Sequence, residues 1–92
     1  MSFVSFLICV SALTPNKSFY NYDRLLSLFK TKYVKSSEIR SIDKEIPLKY
    51  QDKDENGKPV VNTRYACEVT TETGSIWVIL QDCDEVMNEL NK

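Results

Sequence analysis

Runs of apolar residues with different spacings divide the chain into predicted strands and helices. Residues 3–12 are rich in Phe, Val, Ile and Leu, a short run typical of a buried strand. Its apolar residues point to both faces, which favours a central position in a sheet. Residues from about 19 to 31 repeat apolar positions at helical spacing, with Asp23 near the start and Lys30 and Lys32 near the end. We predict an amphipathic helix there that packs on one face of the sheet.

The segment 36–46 fits two local structures. Its isoleucines recur at helical spacing after serines that can cap a helix. Two short strands at about 33–35 and 39–45, joined by a Ser-Ser-Glu turn, fit as well. The spacing leaves both open, and a resemblance described below favours the strands. Pro47 is expected to end the element that precedes it.

Two hairpins and a last helix are predicted in the second half. Asn56-Gly57 marks a turn within the polar segment 51–60. A strand at 63–71 and a partner at 75–80 form the second hairpin, with its turn at Gly74. The last eleven residues predict a short helix with apolar residues at helical spacing, and Asp82 or Asp84 can cap it.

The register of the second hairpin decides which residues share a face. We expect a loop of two or four residues, because an odd loop would turn Glu68 toward the face of Val78 and bury an unpaired carboxylate. The even register predicts a core face of Tyr65, Cys67, Val69, Ile76, Val78 and Leu80. It predicts a second, mixed face of Ala66, Glu68, Thr70, Trp77 and Ile79.

The mixed face raises the question of what covers Trp77, the single tryptophan. A helix of this chain, a second copy of it, or a different partner can do so. Tryptophan beside an aliphatic residue is typical of interface anchors, because it removes much area from water at little entropy cost. We therefore predict Trp77, Ile79 and Tyr65 as partner-binding residues, although Tyr65 also fits a core position.

Length and composition indicate one domain without catalytic chemistry. Residues 1–92 leave no room for a second core. The absence of histidine removes the usual general base and the commonest transition-metal ligand. Glycines at 57 and 74 alone allow no phosphate-binding loop, and the acidic loop lacks calcium-ligand spacing. We expect no enzyme activity, no metal and no cofactor.

The cysteines suggest a reducing compartment. Cys9, Cys67 and Cys83 are an odd number without CxxC spacing, which argues against a disulfide framework or a zinc site. Cys83 lies among acidic residues, which disfavour a thiolate nucleophile. The opening apolar run has the length of a signal-peptide core, but no basic residue precedes it and it is too short to span a bilayer. We predict a cytoplasmic protein.

Charge is distributed unevenly along the chain. Residues 17–49 carry eight basic and four acidic residues, whereas residues 50–92 carry four basic and nine acidic, for a net charge of −1. Basic residues beside Tyr33 can form a phosphate-contacting patch with a stacking ring. The candidate nucleic-acid contacts are Lys30, Lys32, Lys35 and Arg40. An ordinary solvated surface explains the same residues.

From Ile39 onward the chain follows a recurring pattern. Ile39 and Ile42 precede a strand ending in Val69-Thr70-Thr71, then come Thr73-Gly74, Trp77-Val78 and Asp84-Glu85-Val86. This pattern resembles very short bacterial and phage proteins of the FlbD-like type, with an isoleucine-rich strand, a hairpin and an acidic-capped helix. The resemblance implies a small cytoplasmic accessory protein and supplies no catalytic residues. The long connector and the strand and helix that precede Ile39 have no counterpart in it.

These inferences combine into one expectation. The fold is α+β, with an antiparallel sheet of four or five strands, a helix at about 19–31 and a short carboxyl-terminal helix. The function is that of a non-catalytic protein-binding module, such as a phage factor that engages or inhibits a host or defence protein. A nucleic-acid binder that uses residues 30–44, or a small structural homodimer, are the alternatives.

Overall fold

The computed structural model of the chain describes residues 3–9 and 20–92, with the backbone alone for residues 20–22. In these ranges the elements are β1 Phe3–Cys9, β2 Tyr20–Asn21, α1 Tyr22–Ser27, β3 Lys30–Lys35, a 3₁₀ turn at Ser36–Glu38, β4 Ile39–Lys53, β5 Pro59–Thr71, β6 Ile76–Ile79 and α2 Cys83–Leu90. Five strands form an antiparallel sheet in the order β4-β5-β6-β1-β3, and β2 adds a short parallel pair outside β4. The fold is broadly α+β, as expected, with strand predominating.

The first helix is much shorter than predicted. It ends at Ser27, and Lys30–Lys35 forms strand β3, so the predicted helical end at residue 31 is wrong. β3 pairs with β1 along its whole length, from Ile8↔Lys30 to Phe3↔Lys35. Ladder hydrogen bonds to a distant segment therefore override a weak helical pattern. The predicted continuation of the first strand over 10–12 and the helix start at 19 lie outside the described residues.

The ambiguous segment forms a turn at Ser36–Glu38 followed by a strand, the alternative that the resemblance favoured. β4 begins at Ile39, and its pairing with β5 shifts between Ile39 and Ser41 and again between Ile42 and Lys44. Arg40 and Asp43 are the extra residues at these two bulges. Each bulge adds one residue to the usual period of two, so Ile39 and Ile42, three apart, face the same side of the sheet. The three-residue spacing of Ile39 and Ile42 therefore reflects the first bulge, whereas Ile46 lies on the opposite face.

Pro47 does not end β4, contrary to expectation. It pairs opposite Tyr65 in the middle of the strand. The backbone N–H and C=O of Tyr65 point away from β4, toward the side of β5 on which β6 lies. The hydrogen bonds between β4 and β5 are therefore made by the neighbouring pairs, such as Ile46↔Ala66. The nitrogen of Pro47 therefore faces the outer edge, where a missing N–H breaks no bond to β5.

The second hairpin has a three-residue loop, so the predicted even register is wrong. Thr71 N donates to Ser75 O at 2.9 Å and Gly74 N to Thr71 O at 3.0 Å, with Gly74 at φ +85°. This pattern is typical of three-residue loops that end in a left-handed glycine. Glu68 does share a face with Val78, but it is half-buried and lies opposite Lys44 on β4. The expected cost of burying an unpaired carboxylate does not arise.

The sheet curls strongly, because its two ends are joined by three residues. Lys35 ends β3, the strand at one edge of the sheet. Ile39 begins β4, which lies four strand positions away, near the opposite edge. The Glu38 carbonyl accepts a hydrogen bond of 2.9 Å from Glu72 N in the β5–β6 loop. A flat sheet would hold these residues several strands apart, so β3 must approach the start of β4.

Each face of the sheet supports its own core cluster. One face, called the A face here, packs against Val86 of α2, and its buried residues are Phe6, Ile8, Val34, Cys67, Val69, Trp77 and Ile79. The other, the B face, packs against Leu25 of α1 and against Phe29, and its buried residues are Cys9, Ile46, Leu48, Ala66, Val78 and Leu80. The predicted core face therefore mixed residues from both clusters.

Cys67 and Cys83 form a disulfide, contrary to the expectation from the odd cysteine count. Their Cα atoms are 4.9 Å apart, and the bond ties the start of α2 to the A face of β5. An odd cysteine count does not prevent one pair from forming, and Cys9 is the buried cysteine that takes no part. Since disulfides persist mainly in oxidising compartments, the bond removes the support for a reducing one. In the described residues no helix is long and apolar enough to cross a membrane.

Candidate functional site

Two of the three predicted partner-binding residues lie inside the molecule. Trp77 is 8% exposed and Ile79 is fully buried, both in the A-face cluster. The Lys32 ammonium lies 4.2 Å from the centre of the Trp77 ring, a cation–π contact at the edge of this cluster. The cover of the Trp77 face therefore comes from within the chain, from α2 and Lys32.

Tyr65, the third predicted residue, lies on a different surface. Beyond the curled body, β4 and β5 continue as a long hairpin over residues 47–65, called the arm here, and β2 pairs along the outer side of β4 at Tyr50 and Gln51. Tyr65 is 50% exposed on the A face of the arm, opposite Pro47, and Val61 is also 50% exposed on that face. We call this set, with Lys49 and Thr63 between them, the arm face. It carries apolar and basic side chains that α2 does not cover.

The tip of the arm is fixed by its own hydrogen bonds. Asp54 Oδ1 accepts from Asn56 N and from Lys58 N, each at 2.9 Å, and Gly57 adopts φ +77°. These bonds close the predicted Asn-Gly turn. The carboxylate of Asp54 therefore stabilises the loop, which orders the arm up to its end.

The predicted nucleic-acid residues are distributed over several surfaces. Lys30 and Lys32 point to the A face of β3, whereas Lys35 points to the B face, with its ammonium 5.5 Å from the Phe3 ring centre. Arg40 lies in the first bulge of β4. Tyr33 is 70% exposed on the B face. The structure brings Lys35 and Tyr33 to one side of an edge strand but does not gather all four basic residues with Tyr33.

The second bulge of β4 carries a well-bonded carboxylate. Asp43 accepts hydrogen bonds from Thr70 Oγ1 at 2.6 Å and from Ser41 Oγ at 2.8 Å. These bonds, the one from Thr70 foremost, hold the pKa of Asp43 below its ordinary value, with a smaller contribution from the nearby Arg40 and Lys44. The charged form of Asp43 therefore helps to fix the bulge against β5.

Two clefts adjoin the core clusters. One, of 420 Å³, lies between the start of β4 and α2 and is lined by Ile39, Ile42, Met87 and Leu90 with Arg40 at its side. The other, of 200 Å³, lies where β6 ends, between Ser5 and Leu7 of β1 and Arg64 of β5. Among the residues of the described ranges, no three acidic or cysteine side chains converge in a way that could hold a metal ion.

Comparison of the chain with protein-family models, with curated proteins and with solved structures found no match.

Sequence reasoning missed two features of the molecule, the disulfide and the early end of β6. Tyr33 was expected as a stacking ring, and its exposure follows from the pairing of β3 with β1. A signal for the disulfide was present, since Cys67 lies on a strand and Cys83 follows the cap of the next helix in a chain too small to place them far apart.

Proposed function

We propose that the chain is a non-catalytic protein-binding module, of the kind that a phage or mobile element uses to engage or inhibit a host or defence protein. The observation that carries the proposal is the arm face. Tyr65 and Val61 are each half-exposed on an ordered hairpin that projects from the body, in a structure 47 Å long and 20 to 24 Å across. An exposed tyrosine among aliphatic and basic side chains is a typical anchor for a protein partner.

The structure offers a matched pair of residues for testing this proposal. Tyr65 and Tyr33 are both exposed tyrosines in the middle of strands, Tyr65 on the arm and Tyr33 on edge strand β3. Tagged wild-type protein, Tyr65→Ser and Tyr33→Ser would each be used for affinity capture from a bacterial lysate, with and without nuclease, followed by mass spectrometry. We expect one stoichiometric protein that survives nuclease, retained by Tyr33→Ser and lost by at least tenfold from Tyr65→Ser.

Two results would contradict this assignment. Capture of a broad set of nucleic-acid proteins that vanishes with nuclease would remove the protein-binding role. Retention of the partner by Tyr65→Ser would remove the arm face from the interface. Light scattering of the same variants separates a third outcome, in which the arm face closes a homodimer and no other protein is recovered.

The second candidate function is nucleic-acid binding by β3. Tyr33 is exposed and Lys35 is half-buried on one face of this edge strand, where a base can stack on the ring while the ammonium contacts a phosphate. This candidate predicts binding to single-stranded DNA or RNA that weakens steeply with salt and is lost in Tyr33→Ser. Binding that is undetectable at low salt would exclude it.

A further inference from the structure

The helix α2 is attached to the A face by few side chains. Val86 is fully buried, and Leu90 is only partly buried at the far end of the helix. Met87, next to Val86, is 48% exposed. Cys83 N donates to Glu45 Oε1 of β4 at 3.3 Å. Because a helix of eight residues is too short to be stable on its own in water, α2 depends on these contacts and on its disulfide to stay in place.

Clefts border α2 at both of its ends. The cleft of 420 Å³ separates Met87 and Leu90 from the start of β4. The cavity of 200 Å³ lies at the other end, beside Gln81 and Glu85. Side chains that border a cleft lack packing partners on that side, so they gain less dispersion energy than side chains in a filled core. The packing of α2 on the sheet is therefore concentrated at Val86, between the two clefts.

The junction between β6 and α2 contains an unsatisfied polar atom. Gln81 Oε1 is buried there without a hydrogen-bond donor among the described residues. An acceptor in this position has lost its hydrogen bonds to water and gained none in return, which costs free energy. Movement of α2 away from the sheet lets water reach this atom. The closed position of α2 is therefore less favourable at the junction than it would be with a paired acceptor.

The disulfide is the covalent restraint on the position of α2. Cys83 is the first residue of the helix, and its bond to Cys67 anchors it to the A face of β5. While this bond is intact, the start of α2 stays beside β5. Val86 lies about one turn further along the helix, so the same bond keeps its side chain over the A-face cluster. Once the bond is broken, only the sparse packing of α2 holds it there.

We propose that the disulfide between Cys67 and Cys83 is a redox-controlled latch, which holds α2 over the A face when oxidised and releases it when a thiol reductant breaks the bond. Release uncovers apolar side chains of the A-face cluster, among them Val69 and Trp77. The strand pairing and the B-face cluster beneath α1 keep the sheet folded in the released form. The latch goes beyond the proposed protein-binding function and does not depend on it, because α2 does not cover the arm face.

The two cysteines differ in their access to a reductant. Cys67 is fully buried, whereas Cys83 is half-buried. A thiolate of a dithiol such as dithiothreitol therefore attacks Cys83 Sγ and forms a mixed disulfide with it. The bond to Cys67 breaks, and its electron pair passes to Cys67 Sγ, which takes up a proton. The second thiol then displaces Cys83 as a thiol, so that both cysteines are reduced and the dithiol is oxidised to a cyclic disulfide.

Amide hydrogen exchange of the full chain, with and without dithiothreitol, measures the release of α2. Val86 N donates to Asp82 O at 3.1 Å in the closed helix, and Phe6 lies in the pairing of β1 with β3, which α2 does not form. Reduction should accelerate exchange in α2 at least about tenfold more than exchange at Phe6, because the latch opens locally. Equal acceleration at both places would show that the bond only stabilises the whole domain, and would overturn the proposal. No acceleration in α2 would overturn it as well.

The single tryptophan gives a second measurement of release. Trp77 is 8% exposed in the closed form, within the cluster that α2 covers. Reduction should raise the quenching constant of its fluorescence by acrylamide at least about twofold, since the quencher gains access as α2 leaves. An unchanged quenching constant would show that the cluster stays covered without the disulfide, and would contradict the latch.

Cysteine variants assign these responses to the disulfide. The double variant Cys67→Ala with Cys83→Ala should show fast exchange in α2 whether or not dithiothreitol is present. Cys9→Ala keeps the disulfide and should respond to dithiothreitol as the wild type does, because Cys9 takes no part in the bond. A double variant that still responds, or a Cys9→Ala variant that no longer does, would assign the response to another group and overturn the proposal.

Reversal on the wild-type protein decides the question if the double variant does not fold. Replacement of dithiothreitol by oxidised glutathione should re-form the bond between Cys67 and Cys83 and restore slow exchange in α2. Circular dichroism of the reduced wild type checks that the sheet persists. Loss of the sheet on reduction, or failure of α2 to regain protection after oxidation, would make the disulfide a structural cross-link and overturn the latch. Partner capture that depends on Tyr65 tests the proposed function separately, so either idea can fail while the other stands.

Discussion

The body and the arm share two strands, yet the same residue types have different surroundings in each. Val69 and Val61 lie on the same face of β5, eight residues apart, and Val69 is fully buried whereas Val61 is 50% exposed. α2 and the curled sheet cover the A face in the body, and they do not reach the arm. Burial in this protein therefore depends on which element lies above a strand. The strand's own pattern does not decide it.

The largest expected difference between the two regions concerns their aromatic residues. Trp77→Ala leaves a cavity in the A-face cluster, so we expect it to lower the free energy of unfolding by about 3–5 kcal/mol. Tyr65→Ala removes a half-exposed ring from the arm and should cost about 0.5 kcal/mol. Urea unfolding monitored by circular dichroism measures both. Equal losses would show that the arm is packed like the body and would break the comparison.

The disulfide should stabilise the body and leave the arm unaffected. It closes a loop of 16 residues, and constraint of the unfolded chain by such a loop corresponds to about 3 kcal/mol. We expect a dithiol reductant to lower the melting temperature of the wild type by several degrees. The double variant Cys67→Ala with Cys83→Ala is the control, and its melting temperature should not respond to reductant. Amide exchange in residues 49–63 should change little, and a large change there would show that α2 supports the arm.

A smaller effect is expected for the lysine that covers Trp77. Lys32→Met keeps most of the side-chain length but removes the charge above the ring, which should cost about 0.5–1 kcal/mol. Lys49→Met is the matched substitution on the arm face, where no ring contact is described, and it should change stability by less than about 0.5 kcal/mol. Chemical denaturation of both variants at one ionic strength compares them. A Lys49 effect as large as that of Lys32 would contradict the cation–π assignment.

The smallest expected change in stability concerns Asp43, in the second bulge of β4. Its folded pKa lies below the ordinary value of 3.8, so its bonds to Thr70 and Ser41 contribute stability above that pH and lose it as the pH falls through the folded pKa. Thr70→Val should move the pKa of Asp43 upward, toward its ordinary value, in a carboxyl titration by nuclear magnetic resonance. An unchanged pKa would show that the Thr70 bond is not the main cause.

Local sequence signals gave several elements correctly. Asn56-Gly57 and Gly74 marked the two turns, both glycines adopt positive φ, and Asp82 caps α2 by accepting a bond of 2.8 Å from Glu85 N. These features depend on contacts within a few residues, where backbone sterics and capping chemistry act directly. The preference for strands at 39–45 was also correct, although it came from a resemblance and not from the spacing.

The wrong assignments share a cause of a different kind. The even register of the hairpin was predicted because it avoids burying Glu68, but Glu68 is only half-buried and lies opposite Lys44. The helix was extended into β3 because its pairing with β1, more than twenty residues away, leaves no local trace. For the candidate site, the sequence selected Tyr65, Trp77 and Ile79 together, and the structure leaves Tyr65 alone exposed.

The sequence by itself determined the turns, the cap of α2 and several of the strand-forming segments of this protein, because those depend on residues that are close along the chain. Only the tertiary structure decided the curl of the sheet, the bulge at Arg40 that places Ile39 and Ile42 on one face, the disulfide and the early end of β6. Each of these depends on segments far apart in sequence, whose meeting is set by the packing of both sheet faces together. The arm face, the surface that we propose for binding, follows from that packing.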